Sequence, residues 1–118
     1  MEQFDASHKK ELWRILLGLG IPRTYAPGKI LYLQDSLCEG LFCIIKGKVK
    51  NCHILPDGSE IILTLYQDKS IIGESSAIND WPHITSAIAL TVVEAVFVPS
   101  DRVRKTILKC PNLALFFD

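Results

Sequence analysis

The 118-residue chain has no surplus of either charge: 13 Lys and Arg stand against 13 Asp and Glu. Phosphate backbones are held chiefly by excess cations, so a net charge of zero argues against a surface that binds nucleic acid by itself. A long apolar run is also missing. The most hydrophobic early stretch, Leu12 to Leu19, is short, contains Arg14, is interrupted by Gly18 and follows Glu2 and Asp5. It fits neither a signal peptide nor a membrane span, so a cytoplasmic protein without membrane partners is expected. Cys38, Cys43, Cys52 and Cys110 form no CxxC pair and no zinc-type spacing. Free thiols are therefore expected, not disulfides. Histidine is scarce, at His8, His53 and His83 only, and no GxSxG motif marks a nucleophile. There is no internal repeat and no low-complexity segment, and no catalytic residue or metal ligand is assigned.

What is present is a core-forming composition, 48% hydrophobic and 22% charged, at a length suited to one domain. Leu12, Trp13, Ile15, Leu16 and Leu17 make a helical face over Ser7 to Leu17 that stops at the Gly18 and Gly20 pair. From Arg23 to Pro99 the rhythm changes to short runs of Ile, Val, Leu, Tyr and Phe. These are punctuated at Pro27-Gly28, Gly40, Gly47, Asp57-Gly58 and Gly73, the spacing of a sandwich, barrel or β-roll. The clearest hairpin joins Lys48–Ile54 to Glu60–Leu65 through Leu55-Pro56-Asp57-Gly58-Ser59. After Pro99 the pattern predicts a helix capped by Ser100, with Val103, Ile107 and Leu108 on one face, ending at Cys110-Pro111. Pro111 opens a further apolar run, Leu113 to Phe117, that stops at Asp118 uncovered. A truncated helix is the expectation there.

The most informative segment is Ile71-Ile72-Gly73-Glu74-Ser75-Ser76-Ala77-Ile78, followed by Pro82-His83 and Ala87-Ile88-Ala89. Together with Pro27-Gly28, the run from Leu41 to Val49 and Asp57-Gly58-Ser59-Glu60, it resembles the cyclic-nucleotide-binding sensor domain of Crp/Fnr-type transcription regulators. The resemblance implies a mainly β fold, a double-stranded β-helix (β-roll or jelly roll) with short flanking helices. It divides residues 1–118 into an N-terminal helix at 1–20, the β-roll at 23–99, and at 100–118 a helix followed by the start of a dimerisation helix. The family's winged helix-turn-helix DNA-binding domain is absent from this chain. In the family a Gly-Glu pair lies at the mouth of the roll, and those roles fall here on Gly73 and Glu74. Glycine lets the backbone approach a ligand, the N–H groups beyond it can hold an anion, and a carboxylate can accept from a ribose hydroxyl. The plainer alternative is a turn at Gly73 and a solvated loop carboxylate at Glu74.

The family's cassette arginine is missing, and its position falls on His83, whose imidazole, with a reference pKa near ~6.5, is mostly neutral at cytoplasmic pH. Ser75 and Ser76 replace the usual small apolar residues and give the floor more polarity, while Ile84 and Thr85 complete the candidate set. The implied effector is small and anionic, a cyclic nucleotide or another metabolite, and weaker phosphate affinity is expected. No other cofactor is implied. Relatives of this type also respond to halogenated phenols, oxoacids, gases or oxidation. The resemblance further implies a homodimer that meets DNA and RNA polymerase through the full-length protein, not through this domain's own surface. His83 as a water-satisfied loop residue, and Trp81 as either a ligand stack or a cover for the roll, stay open.

Some relatives hold an iron–sulfur cluster on cysteines crowded before the first strand; here none precedes Cys38. Cys43 and Cys52 fit buried thiols in strands, and Cys38, in the Asp35–Gly40 loop, fits either an inert or an exposed redox-sensing thiol. Lys46, Lys48 and Lys50, two apart, share one face if they lie on one strand: a solvated face, or a contact for an acidic partner. Arg102, Arg104, Lys105 and Lys109 are expected at the helix surface. Two alternatives remain, a cupin-like enzyme, which needs histidines and a carboxylate converging on a metal, and an effector-blind dimerisation module.

Overall fold

The computed structural model describes residues 6–109, and among them no helix is long and apolar enough to cross a membrane. The first helix, α1 (Ala6–Leu19), runs through Gly18 and ends beside Gly20, two residues later than its apolar pattern alone indicated. Leu12 and Leu16, one turn apart, are its buried positions. Eight strands follow: β1 (Ile21–Tyr25), β2 (Ile30–Tyr32), β3 (Gly40–Lys46), β4 (Val49–Ile54), β5 (Glu60–Tyr66), β6 (Ser70–Ile72), β7 (Ser86–Ala89) and β8 (Val93–Pro99). Two further helices, α2 (Glu74–Asn79) and α3 (Ser100–Lys109), complete the described chain.

The strands form two four-stranded antiparallel sheets, ordered β1-β8-β3-β6 and β2-β7-β4-β5. Neither order follows the sequence, because the chain crosses between sheets as it advances, the winding of a β-roll. The expected mainly β fold is thus present, with β1 opening at Ile21, ahead of Arg23. The hairpin of β4 and β5 pairs Ile54 with Glu60 and Val49 with Tyr66. Its turn is held by Leu55 N–H donating to Ser59 O at 2.8 Å and by Asp57 Oδ1 accepting from the Ser59 N–H at 2.9 Å. Two bonds from the Ser59 hydroxyl and N–H lower the Asp57 pKa, because both favour the ionised form.

Period-2 alternation sorts the side chains into two cores. Phe42, Ile44, Val49, Ile72, Ala87, Ala89, Val93, Ala95 and Phe97 meet between the sheets. Leu41, Cys43 and Val98, on the opposite face of the first sheet, pack with Leu12 and Leu16 of α1, Ala77 of α2 and Val103 of α3. The first sheet is therefore covered on both faces. Gly40 sits in β3, not in a turn, because a Cβ there would collide with the Val98 carbonyl of β8.

Several sequence expectations change. Leu108 does not share the buried face of α3: it is 81% exposed while Val103 is buried, since a five-residue step rotates it about 140° around the helix. The serine at the helix start, Ser100, turns its hydroxyl toward the Cys38 thiol, 4.0 Å away. Lys46 ends β3, Lys48 lies in the turn and Lys50 belongs to β4, so the three do not form one row. Lys50 instead pairs with Glu60 across the hairpin at 2.5 Å. Cys43 and Cys52 are buried in strands as expected, and burial pushes the Cys43 thiol up to about 12. Cys38 is half-buried, bonds the Gly40 carbonyl and has a raised pKa from desolvation, the environment of an inert thiol. Cys110, Pro111, the run from Leu113 to Phe117 and the His8 side chain lie outside the described residues.

Candidate functional site

The segment read as a loop after β6 contains a short helix, α2. Gly73 precedes it with φ +79°, left-handed backbone that favours glycine, and supplies no side-chain cap. Glu74 places an acid in the first turn, where it complements the helix dipole. At the other end Asp80, also left-handed at φ 57°, closes the helix. Arg104 of α3 donates from Nη1 to the Ala77 carbonyl at 2.9 Å, so an arginine expected at the surface ties α2 to α3. Ser76 is buried with its hydroxyl donating to the Pro82 carbonyl at 3.3 Å, whereas Ser75 is exposed.

His83 is held more firmly than a solvated loop histidine. It is only 4% exposed; its N–H donates to Ser36 O at 3.0 Å and its carbonyl accepts from the Asp35 N–H at 2.6 Å. Its ring stacks on Tyr32, with centroids 3.8 Å apart and planes 11° from parallel. Desolvation lowers its pKa, so the imidazole is neutral and offers no permanent charge to an anion. Gly73 lies against this pair: a Cβ built on it would meet His83 Cε1 and Tyr32 Cε2 at 3.5 Å.

Glu74 is half-buried, its pKa raised by desolvation and partly restored by its own backbone N–H. The pKa of Tyr32 is raised strongly by burial, then by the charges of Tyr66 and Glu74, against a hydrogen bond with Thr85. Tyr66 is raised by burial and by Glu74. Glu74, Thr85, Tyr32 and Tyr66 are therefore neighbours drawn from α2, the segment before β7, β2 and β5. Among the described residues no cation forms an ion pair with Glu74.

The structure thus gathers Gly73, Glu74, His83 and Thr85 around Tyr32. Ile84 is 79% exposed and Trp81 is 58% exposed. Tyr32 and His83 line a cavity of about 300 Å³ together with Arg23, Glu39, Phe42 and Phe97. Arg23 lies flat on the Phe97 ring, its Cζ 4.0 Å from the centroid. Sequence reasoning missed Arg23, Tyr32 and Tyr66. Arg23 carries no motif: on β1 it shares a strand face with Ile21 and Tyr25 and stays exposed, and only its place on the Phe97 ring ties it to the roll.

Residues 22–110 match the family model of the cyclic nucleotide-binding domain. The CRP-like cAMP-activated global transcriptional regulator of Mycobacterium tuberculosis is 31% identical over 93 residues, covering 79% of this chain and 42% of that protein. The global nitrogen regulator of Synechococcus elongatus is 27% identical over 89 residues, covering 74% of this chain and 40% of that protein. The crystal structure of the Thermus thermophilus catabolite activator protein superimposes with a TM-score of 0.77 at 25% identity, covering 90% of this chain and 52% of that one. The chain spans about two-fifths of the length of the curated relatives it matches. With the β-roll, the Gly73–Glu74 turn and a family match over most of its length, this chain belongs to the cyclic nucleotide-binding domain family.

Proposed function

We propose that this chain is the effector-binding domain of a cytoplasmic, CRP-like transcription regulator, not an enzyme, and that a small anionic effector binds where β6 turns into α2. The observation that carries this reading is Glu74. A half-buried carboxylate with no ion-pair partner among the described residues is costly unless it serves a ligand, and hydroxyl donors such as those of a ribose match it. Gly73 holds the turn, the N–H groups of Ser75 and Ser76 face the anion, and Thr85 adds a hydroxyl. His83, neutral and stacked, positions Tyr32 instead of pairing with a phosphate charge, so affinity is lower than an arginine would give. Ile84 contributes backbone alone.

The bond from Arg104 to the Ala77 carbonyl supplies a route outward. A shift of α2 on binding moves α3, and with it whatever follows α3 in the longer protein, there a dimerisation helix and paired DNA-binding domains. Calorimetric titration with cAMP, carried to millimolar concentration, tests the site. Saturable binding is expected, weakened about 10- to 100-fold by Glu74→Gln, the worth of a hydrogen bond to a charged group. Unchanged affinity in the Glu74→Ala, His83→Ala double variant ends the proposal.

A second reading, an effector-blind association module, is favoured by one observation: Ile61, Ile62, Leu63 and Leu65 of β5 are each about half exposed. It is distinguished by concentration-dependent association in sedimentation without heat on titration.

A further inference from the structure

Three non-glycine residues among those described take up left-handed backbone: Asp35, Asp80 and, at φ 66°, Lys69. Aspartate tolerates this region because its short side chain bonds locally, whereas a lysine there is strained. Elsewhere the chain meets the same need with glycine, at Gly28, Gly47, Gly58 and Gly73. Lys69 is the third residue of the turn Gln67–Ser70, closed by the Ser70 N–H donating to the Gln67 carbonyl at 3.3 Å, a position that favours glycine when φ is positive. Its own N–H donates to the Ile44 carbonyl at 2.7 Å, which fixes it against β3. Strained backbone held this firmly directs attention to what the side chain does.

Lys69 lines a groove of about 710 Å³ between α1 and β6, shared with Lys10, Trp13, Arg14, Leu17 and Ile71. Lys10, Trp13, Arg14 and Leu17 follow the spacing of one helix face. Trp13, Leu17 and Ile71 are half-buried, packed on the core beneath the helices, and form an apolar floor. Lys10, Arg14 and Lys69 are exposed. Every charged residue lining the groove, among the described residues, is thus a cation, in a chain whose overall charge is zero. The acid next to Lys69 serves another purpose: Asp68 Oδ1 accepts from the Gly47 N–H at 2.8 Å and lines a different cavity. Like charges one turn apart, as at Lys10 and Arg14, disfavour a helix standing alone. From Lys10 to Leu17 the strip runs about 10 Å, two turns of helix, which is the footprint of a helix laid in a groove. None of the residues assigned above to the effector site lines it.

We propose that the groove between α1 and β6 docks an acidic amphipathic helix of a partner protein, with apolar side chains on Trp13, Leu17 and Ile71 and carboxylates against Lys10, Arg14 and Lys69. The probe is a synthetic peptide of about 16 residues with leucines at helical spacing and glutamates beside them; its counterpart carries lysines in place of the glutamates. Binding is read from the emission of Trp13 in a Trp81→Phe background, since the chain has 2 tryptophans. The acidic peptide is expected to shift the emission to shorter wavelength and to saturate, and the basic one to bind at least about tenfold more weakly. Lys69→Gly is expected to weaken the acidic peptide about three- to tenfold while raising Tm by about 2–4 °C, because the substitution removes a charge and relieves strain together. Arg14→Glu, at an exposed position, weakens it further. Equal binding of the two peptides, or acidic-peptide affinity unchanged in both variants, overturns the proposal. So does failure of the wild type to bind while Phe116→Asp binds, which assigns the groove to the chain's own Leu113–Phe117 run. A Trp13 shift with phosphatidylglycerol vesicles but not with the acidic peptide overturns it in favour of a lipid surface. None of these outcomes touches the Gly73–Glu74 site, which shares no residue with the groove.

Discussion

The two sheets are built from similar strands and treated differently by the rest of the chain. The β1-β8-β3-β6 sheet is buried on both faces, by the other sheet and by α1, α2 and α3, and its central strand β3 reads as a near-continuous apolar run, Gly40 to Ile44. The β2-β7-β4-β5 sheet has one covered face. Its edge strand β5 is exposed along Glu60–Leu65 and only half-buried at Tyr66, and the polar pair Asn51 and Thr64 interrupts its apolar sequence. The difference separates two tasks. One sheet is a platform on which Gly73, α2 and α3 are fixed; the other supplies the opposing wall of the roll and leaves an edge free to adjust. Edge strands with few buried contacts open at lower free energy than central ones, so the half of the roll that ends in β5 is its softer half.

Truncation probes that contrast most strongly. Ile44→Ala, at a fully buried site of β3, is expected to cost about 2–5 kcal/mol in urea unfolding. Leu65→Ala on β5, more than half exposed, is expected to cost less than about 1 kcal/mol. Equal losses would erase the distinction between platform and wall. A smaller effect is expected at the junction. Gly73→Ala has room, since its Cβ meets nothing closer than 3.5 Å, but it must hold φ +79°, and a loss of about 1–2 kcal/mol is expected from that strain alone. Tighter effector binding in this variant would show that the turn is not needed in its left-handed form.

The mildest perturbation is pH, and the two site groups act with opposite sign. The His83 pKa is depressed by burial, so the native state binds fewer protons than the unfolded chain. Its contribution is intact above the ordinary histidine value near ~6.5 and is lost as pH falls below it. The Glu74 pKa is raised, so the native state binds more protons, and stability declines as pH rises from the ordinary carboxyl value near ~4.3 through the elevated one. In stability–pH profiles, His83→Phe, which keeps an aromatic ring against Tyr32, removes the loss below pH ~6.5. Glu74→Gln makes the same loss steeper by removing the opposing contribution. An unchanged profile in His83→Phe would contradict the buried, neutral histidine.

Local signals carried much of the fold. The Asp57-Gly58 turn between alternating runs indicated the β4–β5 hairpin nearly to the residue, and the change of period at Pro99 placed α3. They failed where a neighbour decides. Gly40 looks like punctuation in sequence, yet it is a strand residue whose missing Cβ admits the Val98 carbonyl. Lys46, Lys48 and Lys50 look like one face because spacing alone does not reveal that the chain turns at Gly47. Six residues of α2 are too few for periodicity to distinguish a helix from a loop. The candidate site was half legible. Gly73, Glu74 and His83 stand out because a recognisable order of motifs surrounds them, whereas Tyr32, Tyr66, Asn51 and Arg23 carry no motif and are 7 to 50 residues from Gly73 along the chain.

The amino-acid sequence by itself determined that this protein is a β-roll with flanking helices and that a turn falls at Gly73–Glu74, because strand period, turn residues and motif order are local properties. Only the tertiary structure decided that His83 is buried neutral against Tyr32, that Arg23 lies over the Phe97 ring, that Asn51 pairs opposite Ala87 and that Arg104 ties α2 to α3. Each of those facts depends on which strands become neighbours, and burial, charge and hydrogen bonding are set by the neighbours a side chain acquires on folding.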